Sequence, residues 1–167
     1  RVLALAKENN KLALIVMGAN WCHDSRSLAR KLFSADISET IEEHYELLFI
    51  DVGFMERVKP VITRFGMPII YSTPTALVVE PNTELLINRH NLHSIRDADS
   101  VSAKGIDQYF SDIAKNRFEL TKALSNYKPG DSIVVMYRRD GQVNKVQANL
   151  ADIKGCSNAR KNDLENG

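Results

Sequence analysis

The stretch NWCHDSRSLARKL (20–32) sets a cysteine at the edge of an amphipathic segment. Trp21 precedes Cys22, and Ser25 stands three positions on, where a second cysteine would complete a redox pair. Leu28, Ala29, Leu32 and Phe33 recur at helical spacing, so a helix is expected to begin between Cys22 and Asp24. Asp24 and Ser25 both favour a first turn, one by its charge and the other by side-chain capping. A sulfur at such a position lies near unpaired N–H groups and the positive end of the helix dipole, and both favour the nucleophilic thiolate. Ser25, on the same side of that turn, has a hydroxyl able to donate to the thiolate, and a protonated His23 would add positive charge. Against this stands a plainer reading: an ordinary thiol, a first-turn serine and a solvated histidine.

The elements that would hold Cys22 follow from periodicity and breakers. RVLALAKEN (1–9) reads as a short helix ended by Asn9-Asn10, and KLALIVMG (11–18) as a strand buried on both faces. SADISETIEEHY (34–45) is helical, and ELLFIDVG (46–53) a second buried strand. ERVKPVITRFG (56–66) is a helix that tolerates Pro60 in its first turns and stops at Gly66. PTALVVE (74–80) and ELLINR (84–89) make an antiparallel hairpin around PNT, 90–105 reads as loop, and 106–116 as a helix. Early strands alternating with helices, then a hairpin, predict a mixed sheet with helices on both faces.

The totals narrow the function classes. Net charge is +1 over 167 residues, which gives no reason to expect nucleic acid or an anionic membrane as partner. No run of eighteen or more apolar residues is present, so no membrane insertion is expected. The two cysteines, Cys22 and Cys156, are too few for a disulfide scaffold, and the redox compartment stays open. The first residue is Arg1 rather than Met, which is expected of a processed or truncated start. His90 and His93 in a polar loop could be imagined with Cys22 and His23 as zinc ligands, but solvated histidines are the expectation, and no metal. Asp51 reads as a strand-end acid rather than a catalytic base.

These residues carry a resemblance. LALIVMGANWCHDS resembles the strand-to-helix active-site segment of the thioredoxin superfamily, where a strand leads into W-C-x-x-C. YSTPTALVVEPNTELL resembles the segment in which a cis-proline precedes a β-hairpin, and LLFIDVG the strand between the two. The resemblance covers residues 1 to about 115 in order. It implies a thioredoxin-like three-layer α/β/α sandwich with a mixed sheet, Pro74 as the cis-proline, and Thr73 facing Cys22. Two departures bear on function. Ser25 replaces the resolving cysteine, so a mixed disulfide at Cys22 must be resolved by a thiol from substrate, from glutathione or from Cys156. Val16 stands where thioredoxins bury an acid six residues before the nucleophile, which argues against general reductase activity. Iron–sulfur handling goes with C-G-F-S, which CHDS does not match.

From 117 the pattern changes: a helix over RFELTKALSNY, a KPGD turn (128–131), a strand SIVVMYR (132–138), an RDGQ turn and a return strand VNKVQANL (143–150). LTKALSNYKPGDSIVVMYRRDGQVNKVQANL (120–150) resembles the second half of a PDZ domain of the bacterial protease-associated type, without the carboxylate-binding loop. The expected organisation is therefore a thioredoxin-like domain (1–116), an αββ extension (117–153) and a mobile tail (154–167). The expected function is monothiol thiol–disulfide exchange. Cys22 and Ser25 would be catalytic, while Trp21, His23, Thr73 and Pro74 would meet the substrate. No cofactor is expected, with glutathione a candidate co-substrate and client protein thiols or disulfides the partners. The alternatives are a non-enzymatic interaction module of the same fold, or a dimerisation or chaperone-like role through the αββ edge. The expected location is a bacterial periplasm or cell envelope, with the cytoplasm as alternative.

Overall fold

β1 (Leu12–Gly18) is an inner strand of a four-stranded sheet, and every residue from Leu12 to Met17 is buried. Its alternation feeds two cores, as the period of two requires. In the computed structural model, which describes residues 1–70, 72–139 and 142–150, Leu12, Leu14 and Val16 pack with α2 (His23–Leu32), α3 (Ala35–His44) and the start of α5 (Ala103–Leu124). Ala13, Ile15 and Met17 face the other way, against α1 (Val2–Glu8) and α4 (Lys59–Arg64). The result is an α/β/α sandwich of three layers.

The sheet runs β2-β1-β3-β4. β2 (Tyr45–Asp51) lies parallel to β1, with Val16 opposite Phe49, and β3 (Thr75–Glu80) lies antiparallel on the other side, with Val16 opposite Ala76. The mixed sheet with helices on both faces is therefore as expected from the sequence, but four details differ. β2 is not buried on both faces: it is an edge strand, and Leu48 and Phe49 are about two-fifths exposed. The second hairpin strand is only β4 (Leu85–Leu86), because the chain turns away into a 3-10 helix, Arg89–Ile95, within the stretch expected to be loop. Leu92 and Ile95 of that helix are buried. The two helices expected on either side of residue 117 are one continuous α5, since neither glycine nor proline interrupts 106–124.

The side chain of Asn88 continues the pairing that β4 breaks off. Its Oδ1 accepts from Val78 N–H and its Nδ2 donates to Ala76 O, both at 2.9 Å, so it holds the edge of β3 as a strand would. Lys31 does similar work on the loop before α5, donating to the carbonyls of Ala98, Asp99 and Val101.

The chain divides into two units, Arg1–Asn116 and Arg117–Gly167. In the second, α5 ends, the Lys128–Asp131 turn closes through Asp131 N–H to Lys128 O, and β5 (Ser132–Arg139) pairs antiparallel with β6 (Gln142–Asn149). Asp140 and Gly141 of the expected hairpin turn, Cys156 and the expected tail 154–167 lie outside the described residues. Among the described residues no helix is long and apolar enough to cross a membrane.

Candidate functional site

Where β1 ends and α2 begins, Cys22 is the N-cap: its backbone is extended (φ −88°, ψ 121°), and its carbonyl accepts the first helical bond, from Arg26 N–H. The residues after it, Asp24 above all, begin the helix as the sequence predicts. Asp24 also ties this corner down, its Oδ1 accepting from Asp99 N–H at 2.9 Å.

The opposite wall is the turn into β3. The Thr73–Pro74 peptide bond is cis. The Cys22 thiol, half-buried, donates to Thr73 O with Sγ at 3.1 Å. Ser25 is buried, and its Oγ lies 3.0 Å from Thr73 Oγ1, which in turn donates to Met17 O at 3.4 Å. Ser25 and Thr73 thus share a hydroxyl–hydroxyl hydrogen bond in which either side chain can be the donor. Cys22, Ser25, Thr73 and Pro74 are thus brought to one place, and Thr73 is the residue on which the two others converge.

The two side chains expected to act on the sulfur also have partners of their own. Ser25 Oγ shares a hydrogen bond with Thr73 Oγ1. Its room is made by Gly18, where an added Cβ would come within 3.0 Å of Ser25 Oγ. His23 projects into solvent, and its Nε2 pairs with Asp24 Oδ2 at 3.0 Å, so any positive charge it carries is set against that carboxylate first.

Trp21 lies half-exposed beside the thiol. Its indole N–H donates to Gly53 O at 2.7 Å, and its ring stacks on Phe54 with planes 5° apart and centroids 6.2 Å apart. Phe54 is the residue that sequence reasoning missed. It sits between Val52 and Met55, which are equally apolar, and only the structure separates the ring that faces out from the side chains that face in. On the far side of Ser25, an open groove of ≈ 520 Å³ is lined by Val16, Arg30, Phe33 and Phe49 among others. Val16 is fully buried there, and its own side chain carries no proton. His90 and His93 belong to the 3-10 helix, and among the described residues no three His, Cys, Asp or Glu side chains are grouped to hold a metal ion.

No protein-family model matches the chain, and no curated protein does so significantly. Among solved structures, the crystal structure of a disulphide isomerase from Xylella fastidiosa Temecula1 is similar, with 31% sequence identity and a TM-score of 0.61. The match covers 67% of this chain and 85% of that one. Together with the sandwich topology, it places the chain in a family: the chain belongs to the thioredoxin superfamily.

Proposed function

We propose that the chain is a monothiol thiol–disulfide exchange protein with Cys22 as its nucleophile. The observation that carries this reading is the convergence of Cys22 Sγ and Ser25 Oγ on Thr73, the residue before the cis-proline. The similarity to a disulphide isomerase supports the class of chemistry.

The thiolate of Cys22 attacks one sulfur of a client or glutathione disulfide. The new S–S bond forms as the old one breaks, and the departing thiolate takes a proton from water. Ser25 has no sulfur with which to expel the adduct, so an external thiol attacks the mixed disulfide and regenerates Cys22. Thr73 O is the acceptor that an extended client's backbone N–H would take, and taking it releases the sulfur from its S–H···O partner.

The test uses the Cys156→Ser chain, in which Cys22 is the one remaining thiol. Oxidised glutathione is expected to add a single glutathionyl group, seen by intact mass, that persists until reduced glutathione is supplied. Cys22→Ser is expected to abolish the adduct. A chain that stays unmodified under conditions that modify a free cysteine peptide would remove the enzymatic reading and leave the interaction module.

A further inference from the structure

We propose that Phe54 and Trp21 form an aromatic shelf that selects clients with an aromatic side chain next to the cysteine exchanged at Cys22; this rests on the thiol-exchange reading above. Phe54 is 85% exposed and Trp21 51%, in a loop whose other apolar members are turned inward. Val52 is fully buried, and Met55 packs against the core on the α1/α4 side. The ring therefore contributes little to the core, and the backbone is held in an uncommon conformation to present it. Gly53 has φ +59° and Met55 φ +79°, a value rarely adopted by a residue with a side chain. At Gly53 the φ of +59° is one that side-chain-bearing residues rarely adopt, so the turn favours glycine.

Two further features define what the shelf would take. The Trp21 N–H is already used on Gly53 O, so the indole offers a client its face and not a donor. Arg57 is already set against carboxylates, 3.6 Å from Asp51 and 3.5 Å from Glu56, so it is not free to hold a client's acid. An apolar ring is thus a better occupant than an acidic group. Trp21 adjoins Cys22 in the chain, so a side chain lying on the shelf belongs to a residue close to the client's reacting sulfur.

The experiment uses the full chain carrying Cys156→Ser. The probes are three short peptides, each with one cysteine joined in a disulfide to thionitrobenzoate, which absorbs when released. They differ only in the neighbour of that cysteine: Phe, Ala or Arg. Cys22 attacks the peptide sulfur, thionitrobenzoate leaves as the thiolate, and its absorbance gives the rate. The Phe peptide is expected to react about five- to tenfold faster than the Ala peptide. Phe54→Ala should bring that ratio close to one, and Phe54→Tyr should keep it. Because the ratio is taken within one variant, a general loss of thiol reactivity lowers both rates and leaves it unchanged; an unchanged urea midpoint for Phe54→Ala shows that its fold is intact.

Equal rates for Phe and Ala, or a preference for Arg, would overturn the shelf while the thiol chemistry stands. No reaction with any peptide would sink the thiol chemistry instead, and the shelf is then decided by binding. Trp21 is the chain's single tryptophan, so its emission reports on the shelf directly. A Phe peptide with Ser for its cysteine should shift that emission in the Cys22→Ser chain. The same titration should give no shift once Phe54→Ala is added. An unmoved Trp21 signal would overturn the shelf whatever Cys22 does.

Discussion

On the thiol-exchange reading proposed above, Ser25 sets what kind of thiol protein this chain would be. Its hydroxyl and the Cys22 sulfur reach the same residue, at 3.0 Å and 3.1 Å from two different oxygens of Thr73. A sulfur at position 25 would therefore reach the same residue as the Cys22 sulfur, and Gly18 leaves it space on the far side. Ser25→Cys, in the Cys156→Ser background, is expected to turn a lasting glutathione adduct into a transient one. Mild oxidation should close an internal disulfide, taking the free-thiol titre from two to none. A variant that kept a stable glutathione adduct at Cys22 would show that the two side chains cannot meet, and the role assigned to Ser25 would fall. At this scale Cys22 and Ser25 stood out by type and spacing, and Trp21, Thr73 and Pro74 through the resemblance that their two segments carry. The Thr73 hydroxyl as the partner of Ser25 was not legible, because it lies 48 residues away. Phe54 was not legible either, since an exposed ring and a buried one are the same letter in an apolar loop.

The elements show where pattern reading stops. β1 announces itself by a run of apolar residues, and the helix behind Cys22 by its spacing, so the corner that holds the thiol followed from the chain alone. β2 has the same apolar letters but an edge position, which depends on strand order and not on composition. The hairpin failed for a more local reason. Asn88 was read as a strand residue, yet its side chain replaces the strand, bonding Val78 and Ala76 on the edge of β3 and donating to Tyr109 Oη at 2.9 Å. Since β3 starts just after the cis-proline, this side chain also supports the wall that faces Cys22. Asn88→Ala would leave a buried N–H and a buried carbonyl without the side chain that pairs them. The expected loss is about 2 to 4 kcal/mol of folding stability, measured as a lower midpoint in urea at unchanged slope. A loss below about 0.5 kcal/mol would mean that water reaches the β3 edge, and the ladder assigned to Asn88 would be wrong.

At the scale of the whole molecule, the order of elements was readable because each one carries its own period. Their assembly rests on contacts between distant segments, and one of these sets a pH limit. Tyr45, the first residue of the edge strand, is buried against α5; its hydroxyl donates to Phe110 O at 2.6 Å, and its ring meets Phe110 edge-on. Burial holds its phenol well above the ordinary value of 10.0, and the neighbouring Tyr109 adds to the effect. Tyr109 is raised too, by its own burial, with its hydrogen bond from Asn88 acting the other way. The sign follows from linkage. Below about pH 10 both tyrosines are neutral in the folded and unfolded chain alike, and their contribution is fully present. Above it the unfolded chain releases these protons while the folded chain retains them, so stability falls as pH rises. Urea midpoints measured from pH 8 to 11 should therefore be flat to about pH 9.5 and then decline. Tyr45→Phe should lower the neutral midpoint by the equivalent of about 1 kcal/mol for the lost hydrogen bond and make the alkaline decline shallower. An equally steep decline in that variant would assign the alkaline sensitivity to other groups and leave Tyr45 with a packing role alone.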